Sequence, residues 1–128
     1  MVDPLFFVQI AKFKMRVLII IFVFFYYFQA LSQELFIEGL GDIPIYKKME
    51  YLEDSLILFD KIDGRYVSTK TKGNYSQKEV QEFYAKALPN LGWTSRKKNF
   101  FEREDELLEI KFFNEEDKTI AIFKIFPK

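Results

Sequence analysis

One stretch, Asn74 to Trp93, constrains the rest of the chain more than any other, because it carries a complete set of helix signals between segments that all read as strands. Ser76 and Glu79 have the spacing of a capping box, in which hydroxyl and carboxylate satisfy backbone N–H groups that the first turn leaves unpaired. Tyr75 and Val80 stand where a hydrophobic staple would cross it. Val80, Phe83, Tyr84, Ala87, Leu88 and Leu91 recur at helical spacing as one apolar stripe, with Gln77, Lys78, Gln81, Glu82 and Lys86 opposite. Such a helix must lay one face against something. Pro89 has no N–H to donate and biases Leu88 away from helical geometry, which predicts a helix end near Leu88 and a turn through Gly92 into Trp93.

The partner for that stripe is a sheet. Ser55 to Asp60 is a short apolar run, Asp63-Gly64 is a tight-turn pair, and Arg65 to Lys72 alternates and is rich in β-branched residues. After Gly92, Trp93 to Arg96 and Phe100 to Arg103 flank Lys97-Lys98-Asn99. Glu106 to Phe113 then places Leu108, Ile110 and Phe112 on one face and Glu109 and Lys111 on the other. Thr119 to Phe126 is the last strand. The expected fold class is α+β: an antiparallel sheet of four to five strands, ordered β-β-α-β-β-β, with one amphipathic helix packed on one face and an N-terminal signal or anchor helix before it.

Lys12, Lys14 and Arg16 precede an apolar run from Val17 to Phe28, and Ala30-Leu31-Ser32 follows with small-x-small spacing. Basic, apolar and small residues in that order are the pattern of an export signal. The run falls short of the roughly 20 residues that cross a bilayer comfortably, which favours cleavage after Ser32 over a retained anchor. Membrane attachment through Val17 to Leu31 is the alternative, and Met15 is an alternative start to Met1. The expected organisation is a signal or anchor over 1–32, an extended lead-in over 33–54 and an α+β domain over 55–128. Within the lead-in, Gly39, Gly41 and Pro44 break any long element, Ile43, Ile45 and Tyr46 are candidates to tuck against the domain, and Lys47 to Leu52 has room for a helical turn.

Removing Met1 to Gln33 takes Lys12, Lys14, Arg16 and Asp3 from totals of 19 basic and 19 acidic residues, leaving 16 and 18. That balance lacks the basic excess of a nucleic-acid binder. The chain has neither cysteine nor histidine, so disulfides, a thiol nucleophile, the commonest general base and the commonest transition-metal ligand are all missing. No cofactor or metal site is expected. Gly39-Leu40-Gly41 lacks the third glycine of a dinucleotide fingerprint, and a calcium loop built on Gly64 would put Phe59 where a carboxylate is required. Asn74-Tyr75-Ser76 matches a glycan acceptor, but the helix cap already explains its serine.

Carboxylates concentrate at Glu102, Glu104, Asp105, Glu106 and Glu109 and again at Glu115, Glu116 and Asp117. Paired in a cleft, such groups cleave glycosides, but in turns and on strand faces they keep sheet edges soluble. Lys70, Lys72, Arg96, Lys97 and Lys98 read in the same way as a solvated basic rim. Phe101, Leu107 and Phe113 are the candidate interaction surface, an aromatic patch that the lead-in either covers or leaves open. Ser76, Glu79, Phe83, Tyr84, Leu88, Pro89, Gly92 and Trp93 are structural.

At Glu53-Asp54-Ser55, Phe59-Asp60-Lys61, Asp63-Gly64-Arg65, Phe83-Tyr84, Leu88-Pro89-Asn90-Leu91-Gly92-Trp93 and Phe101-Glu102-Arg103-Glu104, the chain resembles a group of small uncharacterised exported proteins of Gram-negative bacteria. The resemblance runs from about Ile43 to Pro127. It implies export to the periplasm and an α+β fold, and it brings no catalytic residues with it. The expected function is a non-enzymatic binding module of the envelope, with an envelope protein or a lipid surface as partner and no nucleic acid. The alternatives are a carboxylate-dependent hydrolase of envelope polymers and a membrane-anchored accessory subunit of an envelope complex.

Overall fold

Alternation in the strands and a single helical stripe leave one economical arrangement, a sheet with one face under the helix, and the computed structural model has that form. It describes residues 4–30 and 35–128. The chain divides into two units, Met1–Glu34 and Leu35–Lys128, which are described separately. The first holds α1 (Pro4–Ala30), 27 residues long. At 1.5 Å per residue this is a rod of about 40 Å. Leu31 and Ser32, at the expected cleavage site, lie outside the described residues.

The second unit is α+β, with β1 (Glu50–Lys61), β2 (Gly64–Gly73), α2 (Gln77–Asn90), β3 (Thr94–Lys97), β4 (Phe100–Arg103), β5 (Glu106–Glu115) and β6 (Lys118–Pro127). The six strands form one antiparallel sheet in the order β1-β2-β6-β5-β4-β3. Six replaces the expected four to five because β3 and β4 are separate strands, closed by Lys97 opposite Phe100 around Lys98-Asn99. Asn99 takes a left-handed φ of 61° there, which asparagine tolerates better than most residues.

Two-residue loops join β1 to β2, β3 to β4, β4 to β5 and β5 to β6. In the first hairpin Lys61 pairs with Gly64, so the tip is Ile62-Asp63, one residue earlier than the Asp-Gly pair suggests. Strand β1 also begins at Glu50, inside the expected lead-in, and Glu50 to Leu52 pair with β2 rather than forming a helical turn. The ladder shifts between Leu52 and Ile57, and Ser55 fills the irregularity by accepting from Lys70 N–H at 2.9 Å and donating to the Leu52 carbonyl.

Cross-strand rows define the inner face. Phe101, Leu108, Ile125 and Val67 lie side by side, as do Ile110, Phe123 and Thr69, then Phe112, Ala121, Thr71 and Tyr51. Helix α2 covers one part of this face, and buries Val80, Tyr84 and Leu88. Tyr84 stacks edge-on against Phe123 at 5.1 Å. Phe83 sits at the margin, half-buried against Tyr46 at 4.8 Å. Ser76 caps α2 by accepting from Glu79 N–H at 3.1 Å.

Helix α2 runs two residues beyond the expected end, through Pro89 to Asn90. Pro89 falls in the last turn on an exposed side, where its one missing bond leaves the carbonyl of exposed Ala85 to water. The helix then stops at a Schellman cap: Trp93 N–H bonds Leu88 O at 3.0 Å, Gly92 N–H bonds Pro89 O at 3.1 Å, and Gly92 has φ 89°.

The segment before β1 covers the rest of the inner face as a closed loop, not as an extended lead-in. Phe36 bridges Pro44, Ile37 N–H bonds Ile43 O at 2.9 Å, and Ile45 N–H bonds Leu35 O at 2.8 Å. Ile37, Leu40 and Ile43 point into the core and are completely buried or nearly so. Gly39 permits the turn with φ 87°, and a Cβ there would lie 2.8 Å from Leu56 Cδ1. Tyr84 Oη donates to Pro44 O at 2.8 Å, tying this loop to α2.

Candidate functional site

The other face of the sheet has no covering layer within Leu35–Lys128. Ile57, Ser68, Lys124, Glu109 and Phe100 form one row across it, and Glu50, Lys72, Ile120 and Phe113 another. Its central strand β6 carries Ile120, 3% exposed, and half-buried Ile122 between the charged neighbours Lys70, Lys72 and Lys111, and its margins are apolar. Leu107 lies there, half-buried beside Phe126 and opposite Glu102.

The candidate surface of Phe101, Leu107 and Phe113 is divided by the sheet. Phe101 pairs with Leu108 on the inner face and is 3% exposed, so it belongs to the core. Phe113 pairs with Ile120 on the open face and is 38% exposed. Opposite parity about the register, which the sequence of either strand alone does not reveal, separates them.

The largest apolar exposure of this unit lies at the other edge of the sheet. Ile57, Leu58, Phe59 and Ile62 are all exposed on β1 and its hairpin tip. Ile57 and Phe59 face the open side, and Leu58, paired with Val67, faces the inner side beyond the covering layer. Phe59 stacks on Tyr66 at 5.1 Å and 9° between planes, and Lys61 Nζ lies 4.9 Å from the Tyr66 ring centre and 5.5 Å from that of Phe59. A groove of about 260 Å³ runs between this pair, Ile57 and Phe126, with Ser68 and Lys124 on its floor. Because β1 is the outermost strand, its far side also offers backbone N–H and C=O groups. Apolar side chains on both faces of an open edge suit an extended or apolar partner. The unbroken apolar run Leu56 to Phe59 was the signal available in the sequence, where it reads equally well as a buried strand.

The carboxylates are scattered. Glu106 holds Arg65 through two contacts of 2.7 and 3.1 Å, Glu109 pairs with Lys111 at 3.3 Å, Glu115 with Lys72 at 3.7 Å, and Glu102 with Arg96 and Lys128. Glu102 is held below the usual carboxylate range, first by Lys128 and then by Arg96 against the opposing effect of desolvation. Glu79 is likewise lowered, first by the Tyr46 hydroxyl at 2.9 Å and then by Lys47 at 3.1 Å. A general acid needs the opposite shift. Among the described residues no group of acidic side chains is arranged to hold a metal ion.

In the first unit, the described residues from Val17 to Tyr26 are apolar or aromatic and all exposed. Among the described residues, no helix is both long and apolar enough to cross a membrane. Comparison with protein-family models, curated proteins and solved structures finds no match to this chain.

Proposed function

We propose that the chain is an exported protein of a bacterial envelope that acts by binding, with the β1 edge as its contact surface. The observation that carries this reading is the exposure of Ile57, Leu58, Phe59 and Ile62 on an outermost strand beside an apolar groove. A folded domain gains nothing in stability from four large apolar side chains in water, whereas a bound partner removes them from it. Export rests on the order of basic, apolar and small residues from Lys12 to Ser32 and on the resemblance to small exported proteins. The periplasm is the expected compartment, with the leader removed. A photoreactive residue at Leu58 in the cell should give one discrete adduct that the same residue at Lys86, on the exposed side of α2, does not give. Identical patterns at both positions would refute the reading.

A second reading, an accessory subunit held at the inner membrane with its domain in the periplasm, rests on the apolar run from Val17 to Leu31 in the sequence and not on α1, since among the described residues no helix is both long and apolar enough to cross a membrane. Intact mass of the mature protein separates the two, since cleavage after Ser32 removes the whole helix. The hydrolase reading draws no support from the geometry, because Glu102, Glu106 and Glu109 are each engaged with a cation rather than paired in a cleft.

A further inference from the structure

Strand β5 outruns its neighbour. Its register with β4 ends at Phe100 opposite Glu109, and Asn99 O takes the next N–H, that of Ile110, at 3.0 Å. Among the described residues, Lys111 to Glu115 have no strand on that side. Alternate residues of a strand direct their backbone groups to the same side, so Phe112 and Asn114 present N–H and C=O to an open edge. A notch of about 530 Å³ lies beside this edge, with Lys97, Lys98 and Lys111 on its walls and Gln77 and Gln81 of α2 above.

We propose that this edge pairs with the same edge of a second copy, about a two-fold axis through Phe113. The open-face residues of the overhang read Lys111, Phe113, Glu115, a cation and an anion placed symmetrically about an exposed ring. Antiparallel pairing about Phe113 sets Lys111 opposite Glu115 of the second copy twice, Phe113 opposite its own equivalent, and Phe112 opposite Asn114 with both backbone bonds made. Glu116 of one copy then stands level with Ile110 and Asn99 of the other, so the acidic turn Glu116-Asp117 must leave the plane of the sheet there and pass beside the turn Lys98-Asn99 and Lys97. Moving the axis one residue toward Ile110 would require the N–H that Asn99 already holds. Moving it one residue the other way would pair Phe112 with the turn residue Glu116, whose φ is 55°. The product is a continuous sheet with a β1 strand at each end, so both partner-binding edges stay free. The pairing does not depend on what those edges bind.

The test uses the full chain in detergent micelles, where the absence of cysteine makes any single cysteine unambiguous. Residues opposite each other in a non-hydrogen-bonded antiparallel pair have Cα atoms about 4.5 Å apart, within disulfide range. Phe113→Cys should therefore crosslink to dimer under mild oxidation, at least tenfold faster than Phe59→Cys on the far edge or Lys86→Cys on α2. In the Phe113→Cys background, Lys111→Glu or Glu115→Lys alone should cut the yield about tenfold, and the two together should restore it. Within one copy these side chains are about 13 Å apart along the strand, so restoration reports contact between copies. Sedimentation of the unaltered chain should show a concentration-dependent dimer that Lys111→Glu weakens. Equal crosslinking at Phe59→Cys or Lys86→Cys, no restoration by the double exchange, or a monomer at all concentrations would each overturn the proposal.

Discussion

The two faces of the sheet are made by the same strands and differ in what happened to them afterwards. On the inner face, α2 and the loop from Leu35 to Ile45 close over Val67, Leu108, Ile110, Phe123 and Ile125, all nearly inaccessible. On the open face, Ile57 and Phe59 remain in water, and Phe113 is partly exposed. Apolar character alone does not separate the two sets. What separates them is a covering layer, so substitutions should be expensive in stability on the inner face and nearly silent at the exposed positions of the other, where binding is the property at stake; Ile120, buried among its strand neighbours, is the exception on that face.

The largest effect should come from the inner face. Leu88→Ala empties a fully buried site between α2 and the sheet and should cost about 2 to 5 kcal/mol in chemical denaturation. Phe83→Ala, at the half-buried margin of the same helix, should cost clearly less; equal losses would mean that the two residues are equally buried. Gly39→Ala tests the covering loop. A side chain there meets Leu56 at 2.8 Å and adopts a left-handed φ, and the loss should exceed the roughly 1 to 2 kcal/mol of the backbone conformation alone. Gly41→Ala, with open space around its Cβ position, should show only that backbone cost.

Alkali should attack the same layer. Burial pushes the Tyr84 phenol well above its ordinary value. A raised folded-state value means that the stabilisation is complete below the unfolded value, about 10, and is lost as pH rises above it. Unfolding midpoints should therefore fall above about pH 10, and Tyr84→Phe should flatten that fall; an unchanged slope would place the phenol in water.

A smaller effect of opposite sign is expected at Thr69, whose hydroxyl is buried with no hydrogen-bond partner among the described residues. Thr69→Val removes that unsatisfied group at similar shape and should raise stability by about 1 kcal/mol. The smallest effect should be Ile57→Lys on the open face, within about 0.5 kcal/mol of the parent, with loss of the crosslinked partner at Leu58. A large stability loss there would show that the edge belongs to the core.

Local elements were legible because their determinants are neighbours in the chain. The Ser76 cap, the Gly92 stop, the stripe through Val80, Tyr84 and Leu88 and the alternation of β5 all lie within a turn or a strand. Pro89 misled because the rule against proline holds for helix interiors and relaxes in the last exposed turn. Phe101 misled because its face depends on pairing with Leu108, whereas the lead-in buries Ile43 and Tyr46 as expected but closes into a loop at Gly39 and Gly41, whose left-handed φ the spacing of Ile37, Leu40 and Ile43 does not announce.

By itself the sequence determined one amphipathic helix, the alternation of the strands around it, a basic and apolar leader, and a chain without thiol or imidazole chemistry. Only the tertiary structure decided which apolar residues are core and which are surface. Periodicity states which residues share a face, whereas burial depends on what lies opposite that face. Here the covering loop took the inner side and left β1 and the overhang of β5 open.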